Sequence, residues 1–154
     1  MRFIRFLGLL HIAVSAHAAP PPDASGQFSN WFRSLTVPGI PGAPCCTMAD
    51  CRMVEARWND WTRHYEAQVT RERFSTTTWK RMLSEESGEA YQAARSAWMR
   101  QWLSRYGATS DVWIEIPEAK VSAVQNPTGH AVLCWSIFNT ESNGVFCFIP
   151  YQGV

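Results

Sequence analysis

The first regular pattern of apolar residues along the chain is helical. Four of them recur at the spacing i, i+3, i+4 and i+7, namely Phe28, Trp31, Phe32 and Leu35. Asp23 or Ser25 precedes this stripe and is available as the helix cap, and Pro38-Gly39 ends it. We interpret the helix as a lid packed on the main body, behind an extended proline-rich leader at residues 19–25.

After the cysteines at 45–51 the period changes to two, which is typical of strands. One alternating run covers residues 53–58, and a second carries Tyr65, Ala67 and Val69 after a turn at 59–62. Three further strands are predicted at 111–116, 130–138 and 145–149, the last two joined as a hairpin. Single helical turns are expected at 117–121 and at 47–50, where Thr and Asp have the spacing of a capping box.

Between the second and third strands the period is helical, which predicts an insertion at about 74–107. A first helix there carries Trp79 on its apolar face, and a longer second helix carries Trp98 and Trp102 before Gly107 ends it. The expected fold is α+β with a mainly β core. It consists of a small five-stranded antiparallel sheet or partly open barrel, an N-terminal helix and this insertion.

Residues 1–18 have the pattern of a signal peptide. Arg2 and Arg5 precede a short apolar run, and Ala16-His17-Ala18 forms a cleavage site. That run is too short to span a bilayer, and no later stretch approaches the ~20 apolar residues of a membrane helix. We expect a periplasmic or secreted protein with a leader and short helix at 19–44 and one disulfide-stabilised domain at 45–154. A retained membrane anchor is the competing interpretation.

The overall charge of the chain bears on its partners. Cleavage after Ala18 removes two of the 14 basic residues and none of the 13 acidic ones, which leaves a formal charge of −1. This balance does not favour nucleic acid or an anionic membrane. All eight tryptophans lie after the cleavage site, so many large rings are either buried or displayed for a partner.

The five cysteines are Cys45, Cys46 and Cys51 in one block and Cys134 and Cys147 near the far end. Thiols of an exported protein pair, so we expect two disulfides and one odd thiol, which leaves a monomer or a disulfide-linked dimer open. In the C-terminal hairpin Cys134 faces Cys147 at a distance that suits a disulfide. A helical turn in the block brings Cys45 or Cys46 toward Cys51, and we predict Cys46–Cys51 with Cys45 free or holding a ligand. The competing layout joins Cys51 or Cys46 to a C-terminal cysteine and ties the ends of the chain together.

Candidate chemistry is sparse. Three thiolates within seven residues can converge on Zn(II) or Cu(I), but only His64 and His130 remain as histidines after cleavage and no fourth ligand is evident. The chain has no Gly-x-Ser-x-Gly, no phosphate-binding glycine loop and no His-Glu-x-x-His. We therefore predict no metal, no cofactor and no catalytic residue.

A binding surface is predicted where arginine and tryptophan interleave. Residues 71–105 hold six arginines and Lys80 against four glutamates, a mixture typical of surfaces that bind an anionic polymer or a protein. The candidate residues are Trp79, Trp98, Trp102 and Arg95 of the insertion, with Asn126 and His130 of the following loop. Simple packing of these tryptophans on the sheet is the competing interpretation.

Several motifs carry a resemblance. They are Trp31-Phe32-x-Ser34-Leu35, Cys45-Cys46-x-x-x-Asp50-Cys51, Trp113-x-x-Ile116-Pro117, Asn126-Pro127-Thr128-Gly129 and Cys134-Trp135. Together they resemble a family of small uncharacterised exported proteins of proteobacteria, which implies a periplasmic or secreted β domain but no activity. The stretch from Trp113 to Val121 is also similar to the end of SH3-like barrels.

The function expected from these features is non-enzymatic. The chain is interpreted as a cell-envelope or secreted module that binds a protein or a glycan. A thiol or metal protein that uses Cys45, Cys46 and Cys51 is the alternative, and an unrecognised hydrolase is a second alternative.

Overall fold

A computed structural model describes residues 26–74 and 88–151 of the chain. The helices are a 3-10 turn at Gly26–Phe28, α1 at Ser29–Ser34, α2 at Cys45–Met48, α3 at Arg71–Phe74 and α4 at Gly88–Tyr106, with 3-10 turns at Glu118–Lys120 and Ser142–Gly144. The strands are β1 at Asp50–Val54, β2 at Ala56–Asn59, β3 at His64–Thr70, β4 at Asp111–Ile116, β5 at Ala131–Trp135 and β6 at Val145–Ile149. The expected α+β class with mostly β content is confirmed.

The strands form two antiparallel sheets rather than one. Their orders are β1-β5-β6 and β2-β3-β4, so the prediction of a single five-stranded sheet is wrong. The reason lies at Glu55, which separates β1 from β2 within the first alternating run. Its first half pairs with β5 and its second half with β3, while the Gln68 N–H donates to the Glu55 carbonyl oxygen at 2.9 Å. A partly open SH3-like barrel remains a prediction.

Two apolar clusters cover the two faces of β5. Ala131, Leu133 and Trp135 belong to the larger cluster, which also includes residues of β3, β4 and α4. Val132 and Cys134 belong to the smaller cluster, which joins the β1-β5-β6 sheet to α1 and α2. All five residues of β5 are buried, because both faces of this central strand are covered.

The N-terminal helix packs on the body as expected for a lid. Phe32 and Leu35 are buried in the smaller cluster, and Phe28 and Trp31 pack partly buried against it. Trp31 also reaches across the chain, because its Nε1 donates to the Gln125 carbonyl oxygen at 3.0 Å. The candidate caps at 23 and 25 lie outside the described residues.

The remaining helices meet the predictions in part. The long helix α4 ends before Gly107, which has a positive φ of 66°. The capping box expected at 47–50 is wrong, because α2 begins at Cys45 after Pro44 and Asp50 already starts β1. The first helix of the insertion, with Trp79, and the signal peptide at 1–18 lie outside the described residues. Within residues 26–74 and 88–151, the structure contains no helix that is both long and apolar enough to cross a membrane.

Candidate functional site

Three cysteines form a row across the β1-β5-β6 sheet. Cys51 of β1 pairs in register with Cys134 of β5, and Cys134 pairs in register with Cys147 of β6. All three are buried in the cluster that lies under α1 and α2. Since Cys45 is the first residue of α2, the helix adds its sulfur to the same side of the sheet.

The disulfides join Cys45 to Cys147 and Cys51 to Cys134. The predicted bridges Cys134–Cys147 and Cys46–Cys51 are therefore wrong, and so is the assignment of Cys45 as the free thiol. Cys134 does face Cys147, although a register shift next to it places Trp135 rather than residue 136 opposite Val145. Cys134 has a cysteine on either side, so facing alone does not select its partner. The competing layout, in which Cys51 bonds to a C-terminal cysteine and the ends are tied together, accounts for Cys51–Cys134. The second bridge, Cys45–Cys147, belongs to neither predicted layout.

Cys46 is the cysteine left free, and all five cysteines lie in the described part of the chain. Its Sγ donates a hydrogen bond to the Phe32 carbonyl oxygen at 3.3 Å. Burial raises the pKa of the Cys46 thiol to about 12; Asp50 adds to this rise and Arg52 opposes it. The thiol is therefore protonated at neutral pH and unreactive while α2 stays in place.

The sulfurs form two overlapping groups. Those of Cys46, Cys51 and Cys134 lie within 4.8 Å of one another, and so do those of Cys45, Cys134 and Cys147. Cys134 belongs to both groups. While both disulfides are intact, Cys46 is the one thiol that this cluster offers to a metal, which is fewer than a soft-metal site requires.

The tryptophans expected on the binding surface are instead part of the core. Trp98 is 4% exposed and Trp102 is fully buried. Their rings stack at 5.4 Å between centroids, and the Trp102 Nε1 donates to the Thr109 carbonyl oxygen at 2.7 Å. Their display is thus contradicted because the face that carries them packs on the sheet; Arg95 is exposed on α4, and Trp79 lies outside the described residues.

The loop at 126–130 is fixed by Asn126 rather than held open for a ligand. The Asn126 Nδ2 donates to the His130 carbonyl oxygen at 2.8 Å and to the carbonyl oxygens of Ile149 and Pro150 at 3.3 Å. Its Oδ1 accepts from the Thr128 hydroxyl at 2.7 Å. His130 is exposed beside it, so the structure brings these two candidate residues together but uses the amide for the fold.

A polar face on the second sheet carries an exposed tryptophan. Because Ile114 and Ile116 of β4 point into the core, the alternating residues Trp113 and Glu115 lie on the outer face. Trp113 is 40% exposed. We call this surface the Trp113 face; its side chains are Arg57, Asn59, His64, Glu66, Gln68, Trp113 and Glu115.

Charge and hydrogen bonds fix the side chains around this ring. The Arg57 guanidinium carbon lies 4.3 Å from the centroid of the Trp113 ring. Both oxygens of Glu66 accept hydrogen bonds, one from the Arg57 Nε at 2.6 Å and the other from the Asn59 Nδ2 at 2.8 Å. These bonds, first that from Asn59 and then that from Arg57, lower the pKa of Glu66. Gln68 donates to Asp111 at 2.9 Å.

The turn between β2 and β3 displays a second tryptophan. The Asn59 Oδ1 accepts from the backbone N–H groups of Trp61 and Thr62 at 3.0 and 3.2 Å, and Arg63 closes the turn with a positive φ of 58°. Trp61 is 94% exposed. Asn59 thus links the turn to the Trp113 face. The sequence signal for this face is the alternation of inward and outward residues along β2 and β4.

Fold and sulfur chemistry define the class of protein: a mainly β α+β domain of two small antiparallel sheets, closed by two long-range disulfides. Comparison of the chain with protein-family models, with curated proteins and with solved structures gives no significant match. The disulfides are compatible with an extracellular or periplasmic location.

Proposed function

We propose that the chain is an exported, non-enzymatic module of the cell envelope or of the secreted fraction, and that it binds a glycan through the Trp113 face. The proposal extends to membership in the family of small exported proteobacterial proteins that its motifs resemble. Two long-range disulfides support an oxidising compartment. The observation that carries the binding function is the exposed Trp113 ring among planar polar groups.

The chemistry of this face suits a sugar. A sugar ring presents C–H groups on its faces and hydroxyl groups at its rim, so it fits an aromatic ring surrounded by groups that donate and accept hydrogen bonds. Trp113 supplies the part of its ring that the Arg57 guanidinium, 4.3 Å from the ring centroid, leaves exposed. The guanidinium of Arg57 and the amide of Gln68 donate, and the carboxylates of Glu66 and Glu115 accept. Hydrogen bonds to Glu66 already hold the side chains of Arg57 and Asn59 in place. Binding a sugar would therefore cost little side-chain conformational entropy.

A glycan fits this face better than a protein does. Protein interfaces have an apolar core depleted of charge, whereas the Trp113 face places Arg57, Glu66 and Glu115 around a single ring. The exposed ring of Trp61 lies at the turn beyond the strand ends. We assign Trp61 to the edge of the sugar site.

An oligosaccharide array tests the proposal. The protein without residues 1–18 is labelled and applied to an array of neutral, N-acetylated and uronic-acid oligosaccharides, and each positive sugar is then titrated calorimetrically. We expect Trp113→Ala to raise the Kd at least tenfold, which corresponds to about 1.4 kcal/mol. Leu103→Ala, which removes an exposed apolar side chain from α4, should leave the Kd unchanged.

Three outcomes would contradict the proposal. The first is an array without any bound sugar, and the second is a sugar whose Kd is the same for Trp113→Ala and the unaltered chain. The third is capture of a protein, cross-linked from a photoreactive group at position 61, that sugars do not displace. The third result would replace the glycan by a protein partner.

A second candidate function is that of a thiol protein, as the cysteine block suggests. The observation that favours it is that the other four sulfurs all lie within 4.8 Å of the Cys134 sulfur. It differs from the first candidate in needing no external ligand at the Trp113 face. Titration of free thiols in the purified protein, with metal analysis, separates the two. A bound metal or more than one free thiol would support the thiol protein, whereas two bridges, one thiol per chain and no metal would leave binding or structure.

A further inference from the structure

The sulfur cluster contains an uninterrupted route for disulfide exchange. The Cys46 thiol lies within 4.8 Å of both sulfurs of the Cys51–Cys134 bridge, and the Cys134 sulfur lies within 4.8 Å of both sulfurs of the Cys45–Cys147 bridge. The register explains this geometry, because Cys134 stands between Cys51 and Cys147 in the sheet. Thiol–disulfide exchange requires a thiolate next to a disulfide sulfur. Cys46 lies next to the first bridge as a protonated thiol, and Cys134 would become a thiolate next to the second bridge once the first bridge has opened.

We propose that the five cysteines form an intramolecular exchange relay, which converts the two long-range disulfides into two local ones when α2 moves. In the first step the Cys46 thiolate attacks the Cys51 sulfur. The Cys46–Cys51 bond forms, the Cys51–Cys134 bond breaks, and Cys134 leaves as a thiolate. In the second step the Cys134 thiolate attacks the Cys147 sulfur, and Cys45 leaves as a thiolate.

The relay balances without an oxidant or a reductant. Two disulfides and one thiol are present before and after, and one proton passes in net from Cys46 to Cys45. The end products are Cys46–Cys51, Cys134–Cys147 and a free Cys45. The conversion therefore needs only the residues of this chain and water.

The two forms differ in what the bridges hold together. The observed bridges link residues 102 and 83 positions apart and fasten both α2 and β1 to strands near the C-terminus. The exchanged bridges would link residues 5 and 13 positions apart and lie within the cysteine block and within the β5–β6 hairpin. Exchange would thus release the segment with α1 and α2 from its covalent attachment to β6. The smaller apolar cluster, which this segment covers, would then be held by packing alone.

The position of Cys46 explains why the observed form is the resting one. Its thiol is bonded to the Phe32 carbonyl oxygen of α1, and burial strongly disfavours the thiolate. The titratable groups that face it are Asp50, which also disfavours the thiolate, and Arg52, which favours it. Within the described residues, β5 and β6 contribute apolar side chains and bridged cysteines, and the Arg33 side chain of α1 is exposed. Local displacement of α2 would expose Cys46 and start the exchange.

Mass spectrometry of the oxidised protein without residues 1–18 tests the relay. The protein is held at pH 6 or pH 9.5 without reductant, quenched in acid, alkylated with a maleimide in acidic denaturant and cleaved with cyanogen bromide. Cleavage after Met48 separates Cys46 from Cys51, and fragmentation spectra assign the label to Cys45 or Cys46. At pH 9.5 we expect label to move from Cys46 to Cys45 and Cys134, with a new Cys46–Cys51 linked peptide. Below the pKa of the exposed thiol, the initial rate should rise about tenfold per pH unit, in proportion to the thiolate.

Two controls keep the result decisive. Cys46→Ser should show no exchange at either pH, and Cys46→Ala, which blocks the attack in the same way, serves the same purpose if the serine variant does not fold. Label that stays on Cys46 alone through the incubation at pH 9.5 would overturn the relay. Exchange that persists after Cys46 is replaced would also overturn it, because another thiol would then start the reaction.

Discussion

The two disulfides close overlapping loops, so their contributions to stability should not add. Cys45–Cys147 spans 102 residues and Cys51–Cys134 spans 83. Alone, each bridge would stabilise the fold by about 4.5 kcal/mol, because it restricts the unfolded chain. Once one bridge exists, the other closes only the segments 45–51 and 134–147. That is a loop of about 20 residues, for which the same relation gives about 3 kcal/mol.

The perturbation is removal of one or both bridges by paired alanine substitutions. All variants carry Cys46→Ser so that no thiol is available for exchange. Loss of Cys45–Cys147 should lower the free energy of unfolding by about 3 kcal/mol, and loss of Cys51–Cys134 should lower it by a similar amount. Loss of both should cost about 8 kcal/mol, which is more than the two separate losses together.

Urea unfolding without reductant, followed by tryptophan fluorescence and circular dichroism, measures these differences. The dependence on urea should steepen with each bridge removed, because the unfolded chain exposes more surface. The side-chain cost of replacing cysteine by alanine occurs on both sides of the cycle and cancels to first order. A single-bridge loss of about 4.5 kcal/mol, with the double loss equal to the separate losses together, would refute the overlapping-loop account.

Three further outcomes are expected from the same unfolding measurements. Gly144→Ala should lower the free energy of unfolding by about 2–4 kcal/mol, because Gly144 has a φ of 87° and a methyl group there would overlap the indole ring of Trp135 and the carbonyl oxygen of Ser136. Gly129→Ala, with a similar φ of 78° but open space around it, should lower it by only about 1 kcal/mol. Equal losses for the two variants would contradict the predicted overlap at Gly144. Trp102→Ala should lower the free energy of unfolding by about 3–5 kcal/mol, because it removes a buried ring. Trp61→Ala, at the exposed turn, should change it by no more than about 0.5 kcal/mol. A larger loss for Trp61→Ala than for Trp102→Ala would contradict the burial of Trp102 in the core. The pKa of Cys46 is raised to about 12 from 9.0 for the unperturbed thiol. As pH rises, the unfolded chain therefore loses the thiol proton before the folded chain does. The free energy of unfolding should be unaffected by this group below pH 9 and should fall by about 1.4 kcal/mol per pH unit from pH 9 toward pH 12. The fall is the difference between the unaltered protein and Cys46→Ser, and identical pH profiles for the two would contradict it.

Strand positions follow closely from alternation where one face is buried. Asp111–Ile116 and Val145–Ile149 have the bounds that their apolar pattern predicts, because inward residues such as Ile114 must be spaced by two. The division into two sheets does not follow from the pattern. It depends on which distant strand pairs with each half of the run around Glu55, and that choice is made by tertiary packing.

For the candidate site, too, local sequence patterns predict which residues are neighbours but not how distant parts of the chain pack against them. A helical stripe with Trp98 and Trp102 has one spacing whether its face is packed or displayed, so periodicity could not decide their role. Cys134 has a cysteine in register on both sides, so the hairpin predicts a neighbour but not a bond. The outward position of Trp113 was readable from β4 alone, whereas its contact with Arg57 required the order β2-β3-β4.

The central strand β5 has a consequence for how the molecule comes apart. Its successive side chains enter opposite apolar clusters. Neither cluster can therefore unfold while β5 stays in place. Thermal unfolding should be a single cooperative transition even though there are two sheets, and a substitution in β5 should destabilise both apolar clusters.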